Sequence, residues 1–140
     1  MRFLLDTNIL GELTRRSVNP GIAEWAKGIS RVSLSAVTVE EIAYGLAWRP
    51  NARVQGWLER FLDEHCIVLE ITREIAQAAG HLRGGLQSRG ETRSQADMLI
   101  CATAAIFGLT LVTRNTADFK GCGVALLDPY RSPSSPTDVS

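Results

Sequence analysis

Short apolar segments alternate with longer segments of helical periodicity along most of the chain, and this alternation constrains the fold more than any other feature. The apolar runs predict five strands, at residues 2–5, 32–36, 66–69, 109–112 and 124–127. The intervening patterns predict helices at residues 9–16, 22–27, 38–48, 51–64, 72–90 and 96–107. Strands separated by helices indicate an α/β fold with a mostly parallel sheet. The carboxyl ends of such strands share one edge, where these folds place their functional sites.

Length and composition are those of one ordinary globular domain. The 140 residues are 45% hydrophobic and 21% charged. We expect a single domain over residues 1–130 and a disordered tail, rich in Ser and Pro, over residues 131–140. The formal net charge is zero. If four acids cluster in one pocket, however, the rest of the surface carries an excess of four positive charges, which favours an anionic partner.

Cysteine usage and hydropathy predict a cytoplasmic protein. The three cysteines are dispersed and form no C-x-x-C motif, so neither a disulfide framework nor a structural zinc site is indicated. No signal peptide is expected, because Arg2 is followed by only three apolar residues before Asp6. The longest uncharged stretch, residues 98–113, has 16 residues and falls short of the ~20 that a membrane span needs.

Two aspartates follow predicted strands directly or in the next turn. Asp6 comes immediately after the first strand, so we expect its carboxylate at the carboxyl edge of the sheet. Capping of the following helix by Asp6 or Asn8 is an equally good interpretation of the local sequence. Asp118 lies in the turn after the fourth strand, where an aspartate is an ordinary turn residue. Its position beyond a strand end is what makes it a candidate for the same site.

Two further acids lie near predicted helix starts. Glu41 ends a T-x-x-E capping box that begins at Thr38, and its neighbour Glu40 is expected to face solvent. Asp97 ends a second possible capping box that begins at Ser94. It is also the only charge on an otherwise apolar segment. A charge at the start of a buried helix is costly unless it is paired, caps the helix or binds a metal.

Four acids at one sheet edge, with no histidine among them, indicate a site for a hard cation such as Mg²⁺ or Mn²⁺. His65 and His81 fall on helical segments away from this edge. Without a cation the carboxylates repel one another, and their pKa values are expected to rise. The sequence contains no phosphate-binding loop, no dinucleotide-binding glycine motif and no nucleophile elbow.

Four motifs occur in a fixed order: Phe3-Leu-Leu-Asp6-Thr-Asn8, Ser35-Ala-Val-Thr38-Val-Glu-Glu41-Ile, Asp97-Met-Leu-Ile-Cys-Ala-Thr-Ala104 and Leu111-Val-Thr113-Arg-Asn115-Thr-Ala-Asp118-Phe119. In this order and spacing they resemble the PIN-domain ribonucleases. The resemblance is to the VapC toxins of bacterial and archaeal toxin–antitoxin pairs, including the FitB type, and it extends from about residue 2 to residue 127. It implies a PIN-like three-layer α/β/α sandwich with a mostly parallel central sheet, and a homodimer. It also implies a cognate VapB/FitA-like antitoxin whose C-terminal segment covers the groove.

The resemblance also implies roles for particular residues. The family's catalytic and metal-binding acids fall on Asp6, Glu41, Asp97 and Asp118, which selects Glu41 over Glu40. Polar positions that line the family site or orient its ligands fall on Asn8, Thr113 and Asn115. Two features depart from the family pattern. Cys101 stands where members usually carry a small residue such as Ala, and the segment before Asp97 is less typical.

These observations predict a metal-dependent endoribonuclease toxin. Carboxylate-held Mg²⁺ or Mn²⁺ activates a water for attack on a phosphodiester, and the expected products carry a 5′-phosphate and a 3′-hydroxyl. Four arginines near the Asp97 edge are candidates for phosphate contacts or for a merely solvated helix end: Arg83, Arg89, Arg93 and Arg114. Tyr44 and Trp48 follow Glu41 on one helical face. They are expected to stack bases, to form a partner surface or dimer interface, or to lie in the core.

Two alternatives stay open on the sequence. A haloacid-dehalogenase-like phosphatase also begins with a strand followed by an aspartate. That family usually carries a second aspartate where this chain has Asn8 and uses a downstream lysine, whereas the only lysines here are Lys27 and Lys120. The other alternative is a degenerate PIN domain that only binds a partner or nucleic acid.

Overall fold

A computed structural model describes residues 2–131. The strands in this range are β1 Phe3–Leu5, β2 Val32–Ser35, β3 Cys66–Leu69, β4 Thr110–Val112 and β5 Leu126–Leu127. The α-helices are α1 Thr7–Leu13, α2 Pro20–Ala26, α3 Ala36–Trp48, α4 Ala52–Glu64, α5 Arg73–Ser88 and α6 Gln95–Phe107, and a 3₁₀ helix covers Thr116–Phe119. The predicted order of strands and helices is confirmed. Most ends agree within two residues, while α5 continues through three glycines and β5 is half as long as expected.

The strands form a parallel sheet in the order β3-β2-β1-β4-β5. Because side chains alternate along a strand, Leu4 and Leu111 point into a core shared with α5 and α6. Their neighbours Leu5 and Val112 point to the other face, into a core shared with α1, α2 and α4. The predicted α/β class and the three-layer arrangement with a parallel central sheet are therefore confirmed.

The sheet order creates a switch point at the centre of the molecule. From β1 the chain builds β2 and β3 on one side, and then crosses to place β4 and β5 on the other side of β1. At such a point the connections that leave two adjacent strands diverge and open a crevice at the carboxyl edge. The residues that follow β1 and β4 at this edge are Asp6 and Thr113.

Helix α6 is buried in its middle, as its apolar sequence predicts. Met98 and residues 100–104 have almost no exposed surface. The helix ends at Gly108, whose φ of 65° lies in the left-handed region, a C-terminal position that glycine adopts without strain. The start of this helix is therefore anchored close to the carboxyl edge of the sheet by a core that permits little displacement.

Two predictions concern the chain end and membranes. Of the tail that we expect to be disordered, only Arg131 lies within the described residues, where it forms an ion pair with Asp128 at 3.6 Å. Residues 132–140 lie outside the described part of the chain. Between residues 2 and 131, none of the helices combines the length and the apolar character that a bilayer crossing requires.

Two glycines in different helices provide a matched test of this packing. A Cβ on Gly21, in the first turn of α2, would collide with the Pro129 carbonyl oxygen, whereas a Cβ on Gly11 in α1 would enter open space. We expect Gly21→Ala to lower the free energy of unfolding by about 1–3 kcal/mol because backbone must move. Gly11→Ala should raise it by about 0.4–1 kcal/mol because the unfolded chain loses freedom. Urea denaturation of both variants checks this, and equal effects would contradict the contact between α2 and the Pro129 segment.

Candidate active site

The buried carboxylate of Asp6 lies at the centre of the polar cluster. Its Oδ1 accepts a hydrogen bond of 2.8 Å from the Thr7 backbone N–H, so Asp6 caps α1. Its Oδ2 accepts from the Thr113 hydroxyl at 2.7 Å and from the Asn8 side-chain amide at 3.2 Å. The Asp6 backbone N–H donates to the Val112 carbonyl at 2.9 Å, which continues the β1–β4 pairing. Capping and placement at the sheet edge, the two interpretations of the sequence, therefore both hold.

Thr113 and Asn8 connect Asp6 to the loop that follows β4. The Thr113 hydroxyl accepts from the Asn115 backbone N–H at 3.0 Å, which leaves its own hydrogen to donate to Asp6. The Asn8 side-chain oxygen accepts from the Arg114 backbone N–H at 3.3 Å. Asn115 itself is exposed, and its described contact here is made by the backbone. Asn8 and Thr113 thus lie where polar orienting residues are expected, and their functional roles stay predictions.

Glu41 is oriented by a hydroxyl from another element. Its Oε1 accepts a hydrogen bond of 2.5 Å from the Thr7 hydroxyl, which also contacts the buried Thr38 hydroxyl at 3.1 Å. The capping box predicted from Thr38 to Glu41 is wrong. Helix α3 starts directly where β2 ends, and its N-cap is Ser35, whose hydroxyl accepts from the backbone of residue 37. Glu41 is therefore more than a turn inside the helix, and Glu40 is exposed, as predicted.

Asp97 and Asp118 belong to elements that pack on the face of the sheet covered by α5 and α6. The Asp97 backbone N–H donates to the Ser94 hydroxyl at 3.0 Å, which confirms Ser94 as the cap of α6. Asp97 is partly buried, and its position in the first turn places the carboxylate near the positive end of the helix. Asp118 lies in the 3₁₀ helix after β4 and is exposed.

The environment of Asp6 disfavours its negative charge. Burial raises the pKa of Asp6 above its ordinary value of 3.8, and the charges of Asp97 and Glu41 raise it further. The hydrogen bonds from Thr113 and Thr7 act in the opposite direction by stabilising the carboxylate. The net direction is upward, so the ionised form is stabilised when a cation is added to the site.

The pKa of Asp97 is raised for the same reasons. Burial contributes most, and the charges of Asp118 and Glu41 add to it, while Ser94 and the Arg93 guanidinium lower it. Three of the predicted acids, Asp6, Glu41 and Asp97, thus act on one another electrostatically, and Asp118 acts on Asp97. The structure brings all four predicted acids to one edge, and their catalytic and metal-binding roles stay predictions.

The donor chemistry fits Mg²⁺ or Mn²⁺, although it does not form a closed cage. In the described part of the chain, no three His, Cys, Asp or Glu side chains are arranged to hold one metal ion together. Mg²⁺ usually keeps several waters and binds one or two carboxylates directly, so a partly open arrangement of oxygen donors suits it.

Three of the four candidate arginines are exposed. Arg83 lines a cavity of about 240 Å³ between α5 and α6, together with Gln95 and apolar side chains. Arg89 lies 3.9 Å from the Glu91 carboxylate. The Arg114 guanidinium stacks over the Tyr130 ring at 4.7 Å. Contact of these three side chains with RNA stays a prediction.

Arg93 is different, because its side chain is only 13% exposed. It donates to the Asp118 backbone carbonyl at 2.7 Å and pairs with Glu91 at 3.1 Å. These contacts give Arg93 a role in holding the turn that carries Asp118. Its interactions come from residues up to 29 positions away, so the sequence offered no signal for them.

The aromatic pair on α3 lies at the surface. Tyr44 and Trp48 are 64% and 66% exposed, with ring centroids 6.4 Å apart. Arg49 stacks on the Trp48 ring at 4.5 Å. The interpretation of these aromatics as core residues is therefore wrong, because most of the surface of both side chains is exposed. A base-stacking surface and a partner surface both stay open.

Thr7 is the site residue that the motif analysis missed. It lies between Asp6 and Asn8, and its hydroxyl is the described hydrogen-bond donor to the Glu41 carboxylate. A hydroxyl directly between two polar site residues was the available signal. Its partner lies 34 residues away, however, so only the fold identifies it.

The raised pKa of Asp97 predicts a particular pH dependence of stability. Folded protein binds this proton more tightly than unfolded protein, so the contribution is fully present below pH 3.8 and is lost as pH rises through the folded pKa. We expect the stability of Asp97→Asn to lack the part of the decline with pH that Asp97 causes. Without metal at neutral pH, the free energy of unfolding of this variant should exceed that of the wild type. Urea denaturation in EDTA between about pH 4 and about pH 8 measures it. Glu40→Gln, which removes an exposed carboxylate, should keep the wild-type slope, and an unchanged slope in Asp97→Asn would refute the shift.

Comparison with known proteins places this chain in a family. Residues 3–121 match the family model of the PIN domain. The chain is 30% identical over 137 residues to the plasmid stability protein StbB of Pseudomonas syringae pv. tomato, covering 92% of this chain and 99% of the relative. It is 27% identical over 135 residues to the VapC ribonuclease Y4jK of Sinorhizobium fredii, covering 91% and 96%. It is 30% identical over 135 residues to the toxin FitB of Neisseria gonorrhoeae, covering 91% and 97%.

Solved structures agree with the sequence relatives. The crystal structure of FitAcB from Neisseria gonorrhoeae aligns with a TM-score of 0.78 at 29% identity, covering 92% of this chain and 99% of that one. A toxin–antitoxin complex from Klebsiella pneumoniae aligns with a TM-score of 0.66 at 27% identity, covering 91% and 97%. The chain therefore belongs to the PIN domain family, in the group that includes the VapC and FitB toxins.

Proposed function

We propose that this protein is a Mg²⁺- or Mn²⁺-dependent endoribonuclease toxin that a cognate antitoxin neutralises. The observation that carries the proposal is the buried Asp6 carboxylate, held by three hydrogen bonds and within electrostatic reach of Glu41 and Asp97. Relatives named as a VapC ribonuclease and as a toxin support the same activity. Its three free cysteines suit the reducing cytoplasm, where we place it.

Each acid has its own part in the proposed reaction. Asp6 is the fixed ligand, because the Thr113, Asn8 and Thr7 donors leave its carboxylate one orientation. Glu41 and Asp97 would complete the main ligand set, directly or through water, and Asp118 would complete a second position or orient the attacking water. A cation held there would supply a water of lowered pKa and would neutralise charge on the phosphodiester oxygens. Attack by water rather than by the RNA 2′-hydroxyl leaves a 5′-phosphate and a 3′-hydroxyl.

We propose that exposed arginines near the acidic edge bind the phosphates of the RNA backbone. Arg83, Arg89 and Arg114 are exposed at segments that lead into α6 or follow β4. Positive charge supplies most of the sequence-independent affinity for nucleic acids, so these side chains need no base readout to hold a phosphate. We leave Arg93 out of this surface because its guanidinium already has intramolecular partners.

Protein partners form the rest of the proposal. A VapB/FitA-like antitoxin is the proposed inhibitor, supported by the likeness to a toxin–antitoxin complex. An arginine from such a partner would be electrostatically favoured beside Asp6 and Asp97, whose pKa values are raised without a cation. We also propose a homodimer. The exposed Tyr44 and Trp48 on α3 are a candidate contact surface for it.

The first test is cleavage of an end-labelled structured RNA by antitoxin-free protein in EDTA, in Mg²⁺ and in Mn²⁺. We expect cutting only with metal, and products that carry a 5′-phosphate. Asp6→Asn and Asp97→Asn should each reduce the rate by ~100-fold or more, since removing a metal-binding charge forfeits several kcal/mol of transition-state stabilisation. Denaturing gels with end-labelled standards give both the rate and the product ends.

Glu40→Gln is the matched control for these variants, because it removes a neighbouring carboxylate that faces solvent. It should cleave at the wild-type rate. Wild-type rates in both Asn variants would refute the assignment of the site. Folded protein that cuts no cellular RNA with either metal would favour the alternative of a PIN domain that only binds.

The hydroxyl of Thr113 gives a second, more specific test. Thr113→Val removes the 2.7 Å hydrogen bond to Asp6 and nearly preserves the side-chain volume. We expect Mn²⁺ affinity to fall by about 10- to 100-fold, the usual effect of losing a group that orients a metal ligand. Isothermal titration calorimetry measures the affinity directly. Thr103→Val is the control, since that buried hydroxyl bonds the Leu99 carbonyl within α6. Equal losses in both variants would show a general effect of burial instead.

A further inference from the structure

Two cysteines lie together in the core between the sheet and α6, and neither has a role in the proposed nuclease reaction. Cys101 belongs to α6, and Cys122 belongs to the turn that leads to β5. The Cys101 thiol donates to the Cys122 backbone carbonyl at 3.9 Å, and the two side chains lie close enough for each to shift the pKa of the other. Cys101 has no exposed surface, whereas Cys122 keeps 9%. The two cysteines are therefore neighbours, and Cys122 is the less buried residue.

The backbone of the turn holds Cys122 in this position. The glycines on both sides, Gly121 and Gly123, have φ angles of 80° and 74°, in the region that other residues rarely adopt. The Cys122 backbone N–H donates to the Phe119 carbonyl at 3.3 Å, and Phe119 is fully buried. The Gly-Cys-Gly sequence thus directs the thiol inward against α6 instead of outward to solvent.

A partly buried cation, Arg93, completes the cluster. The Arg93 guanidinium donates to the Cys122 sulfur at 3.7 Å, and its contacts with Asp118 and Glu91 fix it there. Hydrogen bonding from Cys101, assisted by Arg93, lowers the pKa of Cys122 to about 7. The same pair interaction raises the pKa of Cys101, so that thiol keeps its proton. Cys122 is thus the more readily ionised and more nucleophilic thiol, and Cys101 is the thiol that can react with its oxidised form.

We propose that Cys101 and Cys122 form an oxidisable dithiol, a modification site at which a hydroperoxide joins α6 to the turn before β5 through a disulfide. The Cys122 sulfur attacks the peroxide, takes up one oxygen as a sulfenic acid and releases water or an alcohol. The Cys101 sulfur then attacks the Cys122 sulfur, and the sulfenic oxygen leaves as water with the Cys101 proton. Two electrons pass from the two thiols to one peroxide, and a thiol reductant reverses the change.

The position of the disulfide links it to the acidic site. Cys101 follows Asp97 by four residues on α6, and Cys122 follows Asp118 by four residues beyond the 3₁₀ helix. A covalent bond between them would connect α6, which carries Asp97, to the turn that follows the 3₁₀ helix carrying Asp118. Oxidation would also remove the Cys122 thiol that Arg93 contacts. An effect on cleavage rests on the proposed function, whereas formation of the disulfide does not.

The test is hydrogen peroxide treatment of the folded full chain, followed by peptide mapping without reductant. We expect a cross-linked pair of peptides that contain residues 101 and 122, and a fall in free thiols from three to one per chain. Dithiothreitol should restore all three. Cys66, which is buried on the other face of the sheet, is the internal control and should keep its thiol.

Three variants separate the roles of the sulfurs. Cys101→Ala should stop the reaction at a sulfenic acid on Cys122 that dimedone captures, and Cys122→Ala should leave Cys101 unreacted. Cys66→Ala should form the same cross-link as the wild type. Oxidation of wild-type Cys122 to a sulfinic acid without a cross-link would overturn the proposal, as would reaction of Cys66 at an equal rate. Because mass mapping of the wild type decides both outcomes, the result does not depend on the folding of a variant or on nuclease activity.

Discussion

Burial of the Asp6 carboxylate at the switch point of the sheet is the constraint on which the rest of the site depends. A buried charge is costly unless hydrogen bonds satisfy it, and this one receives bonds from Thr7, Asn8 and Thr113. The β1–β4 register makes this possible, since it pairs Leu5 with Val112 and so brings the next residues of both strands side by side. The same three donors then hold the loop after β4 and the start of α1, so local structure and the site share their contacts.

The neighbouring acids raise the electrostatic cost of ionising Asp6 and Asp97. Glu41 and Asp97 raise the pKa of Asp6, and Asp118 and Glu41 raise that of Asp97, so Asp6 and Asp97 are less stable as anions because of their neighbours. The folded chain tolerates this repulsion because the apolar cores on both faces of the sheet fix the elements that carry the acids. Charge neutralisation is the property shared by the proposed metal and an antitoxin arginine.

Arg93 connects this site to the thiol pair. Its guanidinium holds the turn at Asp118, lowers the pKa of Asp97 and contacts the Cys122 sulfur. One partly buried cation therefore contacts both the turn that carries Asp118 and the sulfur of Cys122. Cys101, the residue that departs from the family pattern, provides the second sulfur. The departure thus lies next to the site without supplying any of its oxygen donors.

The sequence by itself determined the order of strands and helices, the parallel sheet and the edge at which Asp6, Asp97 and Asp118 meet. Alternating periodicities encode these features locally, and the acids stand at the ends of the elements. The sequence did not determine which residue caps α3, because Ser35 and Thr38 are both good N-caps. In the structure β2 ends at Ser35, so Ser35 is the cap. Tertiary structure alone decided the Thr7–Glu41 and Thr113–Asp6 bonds and the pairing of Cys101 with Cys122. Their partners are 21 to 107 residues apart, and only packing of the sheet and its helices brings such groups together.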